Sequence, residues 1–73
     1  MATQIVMDHT GDRRYHFNPR DVGALVEAEE RFRSLIGAGF TAAARTASGK
    51  SARIRSFDPN AEETLFFARL IGG

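Results

Sequence analysis

The chain contains no cysteine, only two prolines, and a single lysine, Lys50. Without cysteine there are no disulfide staples, no thiolate metal sites and no cysteine nucleophile. No apolar run approaches the roughly 18 residues of a membrane-spanning helix. Met1-Ala2-Thr3-Gln4 lacks the charged start and long apolar stretch of a secretory signal, so the expected location is cytoplasmic. Strong charge of either sign is missing as well. Ten basic residues stand against nine acidic ones, a net charge of +1, which is too small to argue for nucleic acid. There is also no recognisable Ser-His-acid signature for nucleophilic catalysis, and the chain is not expected to be an enzyme.

What is present is enough for one folded domain, residues 1–73. Six Phe, Tyr15 and the aliphatics can form one compact core. A chain this short buries only about 60% of the surface its unfolded form exposes, so modest stability is expected. Nine of the ten basic residues are arginine, and alanine is abundant, a composition that fits a GC-rich bacterial coding bias.

Gln4 to Asp8 reads as a strand with Ile5 and Met7 on its apolar face. Thr10-Gly11-Asp12 is a turn signal, because Gly and Asp tolerate positive φ. Arg14-Tyr15-His16-Phe17 then alternates, placing Tyr15 and Phe17 beside Ile5 and Met7 in a hairpin. The loop could be two, three or four residues long. Asn18-Pro19-Arg20-Asp21 opens a helix, with Asn18 able to cap and Pro19 suited to the first helical position. Val22, Leu25, Val26, Phe32 and Ile36 fall on one face at helical spacing. Glu27 with Arg31, and Glu29 with Arg33, stand four apart in the favourable order. Gly37 and Gly39 end the helix.

Phe40 to Arg45 alternates again, with Phe40, Ala42 and Ala44 inward. Ala47-Ser48-Gly49-Lys50 is a turn, and Ala52 to Phe57 is the returning strand. The segment after Asp58-Pro59 has two readings. Asn60 as a cap with Glu63 three residues on would start a helix, and Gly72-Gly73 would then be its stop. Thr64-Leu65-Phe66-Phe67 favours a strand by residue type, and the strand is the reading we adopt.

With that last strand the order is two strands, helix, two strands, final strand, then Gly72-Gly73. This α+β order, ββαββ(β) with one helix packed on one face of the sheet, resembles the β-grasp fold of the ubiquitin-like family. That family includes ubiquitin and the small sulfur carriers of thiamine and molybdopterin synthesis. Gln4-Ile5-Val6, Thr10-Gly11 and Pro19-Arg20-Asp21 are similar to ubiquitin's pattern. Glu63-Thr64-Leu65, followed by an apolar strand and Gly72-Gly73, resembles the end of both groups. The likeness covers the whole chain in element order but only short pieces in residues.

The resemblance implies a protein modifier or sulfur carrier that is itself a substrate. An activating enzyme, using ATP and Mg²⁺, would adenylate the Gly73 carboxylate, and the acyl group would pass to a thiol or to sulfide. Gly73 would carry the reacting carbon and Gly72 would give clearance in a narrow site. Arg69 would meet acidic residues on the enzyme. The partners implied are that enzyme and either target proteins or a sulfur-accepting enzyme; no cofactor is implied on the chain. Two features depart from ubiquitin. The tail carries one arginine, Arg69, before apolar Leu70-Ile71, which is closer to the sulfur carriers, and Lys50 alone could accept a lysine-linked copy.

The alternative is a small non-catalytic α+β binding or structural module, in which Gly72-Gly73 only caps the last element. A sheet with one helix leaves one face of the final strand uncovered. An exposed patch containing Phe66, Ala68 and Leu70 would be a docking surface. His9 and His16 stand on opposite arms of the hairpin, but two histidines without a carboxylate make a weak metal site, and none is expected. Arg45, Arg53 and Arg55, with Arg13 and Arg14, could form a basic surface. It lacks the interleaved aromatics of a single-strand-binding sheet, and solvated arginines are the expectation. Gly49-Lys50-Ser51 resembles the end of a phosphate-binding loop but lacks the earlier glycine and a following helix.

Overall fold

The computed structural model describes residues 1–68. Strands β1 (Ala2–Asp8), β2 (Gly11–Phe17), β3 (Phe40–Arg45), β4 (Ser51–Ile54) and β5 (Glu63–Ala68) and helix α1 (Val22–Gly37) follow in the order ββαβββ. The strands form one mixed sheet in the order β2-β1-β5-β3-β4. β5 lies at its centre, parallel to β1 and antiparallel to β3. One helix covers one face. This is an α+β fold with the β-grasp arrangement.

The first hairpin closes by the shortest of the three expected loops. Asp8 pairs with Gly11, leaving His9 and Thr10 as the loop, and Gly11 takes φ +122°, which only glycine adopts freely. Asp8 Oδ1 accepts both the backbone N–H and the hydroxyl of Thr10, an Asx turn that fixes the corner.

α1 begins later than its first capping signal. Asp21 is the N-cap, its Oδ1 accepting from Gly23 N at 3.1 Å and Ala24 N at 3.3 Å. Asn18 spends its side chain on Arg20 N (3.0 Å) and its carbonyl on Asp21 N (2.9 Å), making a turn before the helix. The buried helix positions are Ala28 and Phe32, with Leu35 and Ile36 packed beside them. Val22 and Val26, expected on that face, are 74% and 50% exposed. The inward stripe runs through alanine, so counting large aliphatics displaces it.

The core is Val6, Phe32, Ala42 and Phe66, ringed by Tyr15, Leu35, Ile36, Phe40, Ile54 and Phe57. Phe32 meets Phe66 edge-on at 5.5 Å between centroids and Phe57 at 6.1 Å, geometry that favours aromatic pairs. β3 presents Ala42 and Ala44 to the helix side, both buried, as expected. β1 has the opposite phase to that expected. Ala2, Gln4 and Val6 are buried, while Ile5 and Met7 face away from the helix.

Gln4 shows why. Its side chain is fully buried, with Nε2 donating to Ala28 O at 3.0 Å and Oε1 accepting from Arg31 Nη1 at 2.7 Å. The Arg31 guanidinium in turn lies 4.0 Å above the Tyr15 ring, a cation–π contact. Because the amide is satisfied at both ends, its burial carries little penalty, and it ties β1 to the middle of α1.

Candidate functional site

The side of the sheet away from α1 is the face available to a partner, and strand register orders it into rows. Ile5 stands beside Arg14 on one neighbour and Leu65 on the other; Leu65 stands beside Ala43, and Ala43 beside Arg53. The row therefore reads Arg14, Ile5, Leu65, Ala43, Arg53. Its two arginines lie four strand spacings apart, about 19 Å. The next row toward the end of β5 is Asp12, Met7, Phe67, Thr41. Together Ile5, Met7, Leu65 and Phe67 make an apolar centre with no second layer over it among the described residues. Met7 is 41% exposed and the other three are half-buried.

The row at the other end is polar. His16, Thr3, Glu63, Arg45 and Ser51 stand in register across all five strands. Thr3 Oγ1 and His16 Nδ1 are 3.0 Å apart, and the Arg45 guanidinium is paired with the Glu63 carboxylate. The face thus has an apolar middle, a hydrogen-bonded border at one end and guanidinia at its two sides. That arrangement suits contact with another macromolecule.

The expected site residues fall in different places. Phe66 is fully buried beneath the helix against Phe32, so it is no part of an exposed patch. Alternation along β5 puts Leu65 and Phe67 on the open face in its stead. The patch was placed on the wrong parity because both parities of β5 are apolar. Ala68 ends β5 opposite Phe40 and is exposed. Arg69, Leu70, Gly72 and Gly73 lie outside the described residues.

His9 sits in the hairpin loop, whereas His16 pairs with Thr3 at the far end of β2, so the hairpin holds them apart. Among the described residues no group of three His, Cys, Asp or Glu side chains could hold a metal ion. Arg45 lies opposite Ser51, while Arg53 lies opposite Ala43. Arg13 and Arg14 are engaged by Asp8 at 3.2 Å and Asp12 at 3.4 Å. Arg45 and Arg53 thus share the open face as diagonal neighbours, with Arg14 on the same face at its far side, while Arg13, opposite Val6, takes the other phase. Lys50 closes a turn through its carbonyl, which accepts from Thr46 N at 3.0 Å, and a strand follows it. No phosphate-loop helix is built there.

The titration of Asp8 is displaced. The Thr10 hydroxyl, then the Thr10 N–H and the nearby Arg13, hold its carboxyl below the ordinary aspartate range. The cause is the structural turn that closes the first hairpin, at the end of the row holding Met7 and Asp12.

Sequence reasoning misses Ile5, Met7, Leu65 and Phe67 as site residues, since it puts Ile5 and Met7 on the apolar face of the hairpin and the exposed phase of β5 at Phe66. The signal that could have found them is Gln4. A long amide able to bond a helix carbonyl can occupy the covered face and push Ile5 and Met7 outward. No helix among the described residues is long and apolar enough to cross a membrane. Comparison with known proteins returned no match of the chain to a family model, a curated protein or a solved structure.

Proposed function

We propose that this chain is a ubiquitin-like modifier or sulfur carrier, the substrate of an ATP-dependent adenylating enzyme and not itself an enzyme. The observation that carries the proposal is the position of β5. It is the central strand, parallel to β1 and antiparallel to β3. The residues after Ala68, Arg69-Leu70-Ile71-Gly72-Gly73, therefore continue from the best-anchored strand of the sheet. A rigid body carrying a glycine-ended segment on such a strand suits delivery of a carboxylate into a narrow site. Glycine offers no side chain to collide there.

In this scheme a carboxylate oxygen of Gly73, whether the chain ends there or is cut to it, attacks the α-phosphorus of ATP. A C–O–P linkage forms and pyrophosphate leaves. A thiolate or sulfide then attacks the Gly73 carbonyl carbon and AMP leaves, giving a thioester or a thiocarboxylate. Gly72 gives clearance and Arg69 meets acidic groups of the enzyme. The apolar rows of the open face supply the docking area that holds the two proteins together.

Mass spectrometry of the tagged chain recovered from its own cells tests the reading. A thiocarboxylate shows as one sulfur replacing one oxygen at Gly73. Conjugation shows, after tryptic cleavage beyond Arg69, as a Leu-Ile-Gly-Gly remnant on an acceptor lysine. Deleting Gly73 should remove either product and leave the fold intact. An unmodified chain, and a Gly73 deletion without effect on the cell, would leave the second reading: a module acting through its surface alone. The uncovered Ile5, Met7, Leu65 and Phe67 favour that reading. It predicts that Leu65→Ser abolishes function while the deletion is silent.

A further inference from the structure

The pairing of β3 with β4 is incomplete, and the gap has a chemistry of its own. β3 begins at Phe40, but β4 pairs only from Ala42 to Arg45. On their other side Phe40 and Thr41 are paired with Ala68 and Phe67 of β5. Facing β4, the first two residues of β3 have no strand beside them, so the sheet edge carries a notch there. A cleft of about 630 Å³ surrounds it, lined by Ile36, Phe40, Thr41, Arg53, Ile54 and Arg55.

Alternation along the strands sorts these side chains by face. Phe40 and Ile54 share the helix side with Ala42, and with Ile36 they border the core. Thr41 and Arg53 project to the open side, in phase with Ala43, and Arg55 lines the cleft from the bend that follows β4. One wall is apolar, the other cationic. Arg13, Arg14, Arg33 and Arg45 each pair with a carboxylate, but neither Arg53 nor Arg55 joins an ion pair among the described residues. No acidic side chain lines the cleft. The two guanidinia therefore bring positive charge to the cleft with no carboxylate beside it.

We propose that this notch docks an acidic, extended peptide segment of a partner protein. The segment would lie in the cleft along Phe40 and Thr41, pairing with the one of them whose backbone N–H and C=O face away from β5. Its side chains would then alternate as the cleft does. One set, apolar, enters between Ile36, Phe40 and Ile54. The other set, carboxylates, turns to Arg53 and Arg55, whose planar forks match carboxylate geometry. The partner's signature is thus a short alternation of acidic and β-branched or aliphatic residues. A nucleic acid is the weaker occupant, because the single ring in the lining, Phe40, lies on the helix-side phase and packs against the core, and the interleaved series of aromatics that stacks successive bases is not built there. The inference is independent of any activation at Gly73.

The test is a titration of the ¹⁵N-labelled full chain with a short synthetic peptide alternating glutamate and valine. Saturable shifts confined to residues 40–42 and 53–55, weakening as salt is raised, are expected. Arg53→Gln together with Arg55→Gln should lower the affinity about tenfold. Both side chains are exposed, so the spectrum elsewhere should not change. The same peptide with lysine in place of glutamate should not bind. The proposal is overturned if the peptide instead shifts Ile5, Met7, Leu65 and Phe67, or if the lysine peptide binds equally. It also falls if the double variant binds as the parent does, or if a single-stranded oligonucleotide gives the notch shifts and the acidic peptide none.

Discussion

The two faces of the sheet are made from alternate residues of the same strands, and they solve opposite problems. Toward the helix the fully buried strand residues are small or slender, Ala2, Gln4, Val6, Ala42, Ala44 and Thr64, with Phe66 as the one large ring among them and Tyr15, Phe40 and Ile54 at the margin. α1 answers with Ala28 and Phe32, so helix and sheet approach closely around a few aromatic contacts. Away from the helix the same strands offer Ile5, Met7, Leu65 and Phe67, bulkier on average and without a layer above them. The covered face even includes a polar amide, while the uncovered one has an apolar centre. Hydrophobicity therefore does not separate inside from outside here. What separates them is fit beneath one helix on one side and contact area left for a partner on the other.

The largest expected effect comes from truncating one aromatic on each side. Phe66→Ala removes a fully buried ring that packs on Phe32 and should cost about 3–5 kcal/mol. That is a large share of the roughly 4–11 kcal/mol expected for a domain of this length. Phe67→Ala, next in sequence but on the open face, should cost about 1–2 kcal/mol, since much of its ring already meets water. Urea denaturation followed by circular dichroism measures both. Equal losses would mean that the open face is as much a core as the covered one, and the comparison would break.

This adjacency also explains what could be read in advance. The fifth strand was legible from Thr64 to Phe67, whose residue types suit a strand, and the hairpin from its turn signal. The inward phase of β3 was legible because its other positions include Thr41 and Arg45. The phase of β5 was not, because Leu65, Phe66 and Phe67 are all apolar and only a neighbouring layer decides which is buried. For β1 the apolar count pointed the wrong way: Ile5 and Met7 outrank Gln4 on any scale, yet Gln4 has partners in Ala28 and Arg31 that only the folded chain supplies. The expected cap, Asn18, closes a turn on Arg20 with its side chain, and Asp21 caps the helix in its place. Of the candidate site, the existence of an open face followed from one helix on one sheet; its membership required the register.

Gln4 gives a second, smaller way to test the comparison. Gln4→Ala leaves a void and strips Arg31 of its inward partner, for an expected loss of about 2–3 kcal/mol. Gln4→Met fills nearly the same volume without the hydrogen bonds and should lose about 1 kcal/mol or less. Arg31→Ala strands the Gln4 oxygen in a fully buried position and should cost about 1–3 kcal/mol. If Gln4→Met proves as damaging as Gln4→Ala, the amide matters through its bonds. If the two differ as expected, it matters mainly as packing under the helix, like its alanine neighbours.

Asp8 sharpens the contrast at the smallest scale. It shares the phase of Gln4 and Val6 on β1, but its bonds stay within its own hairpin, to Thr10 and Arg13. A charge is tolerated on this phase where the helix makes no claim on it. The Thr10 hydroxyl, then the Thr10 N–H, with help from Arg13, lower its folded pKa below the ordinary value near 4. The folded state therefore binds this proton less readily than the unfolded chain does. The resulting stabilisation is fully present above the unfolded value and is lost as pH falls through the folded one. Asp8→Asn should accordingly show a flatter decline in urea midpoint from pH 5 toward pH 2 than the parent chain, with little difference in slope above pH 5. The Thr10 amide should report the same group directly, its chemical shift titrating with a midpoint below 4. A midpoint at or above 4, or parallel declines in the two proteins, would show that the turn holds Thr10 without discriminating between the two forms of Asp8. The difference between Gln4 and Asp8 would then be one of shape alone.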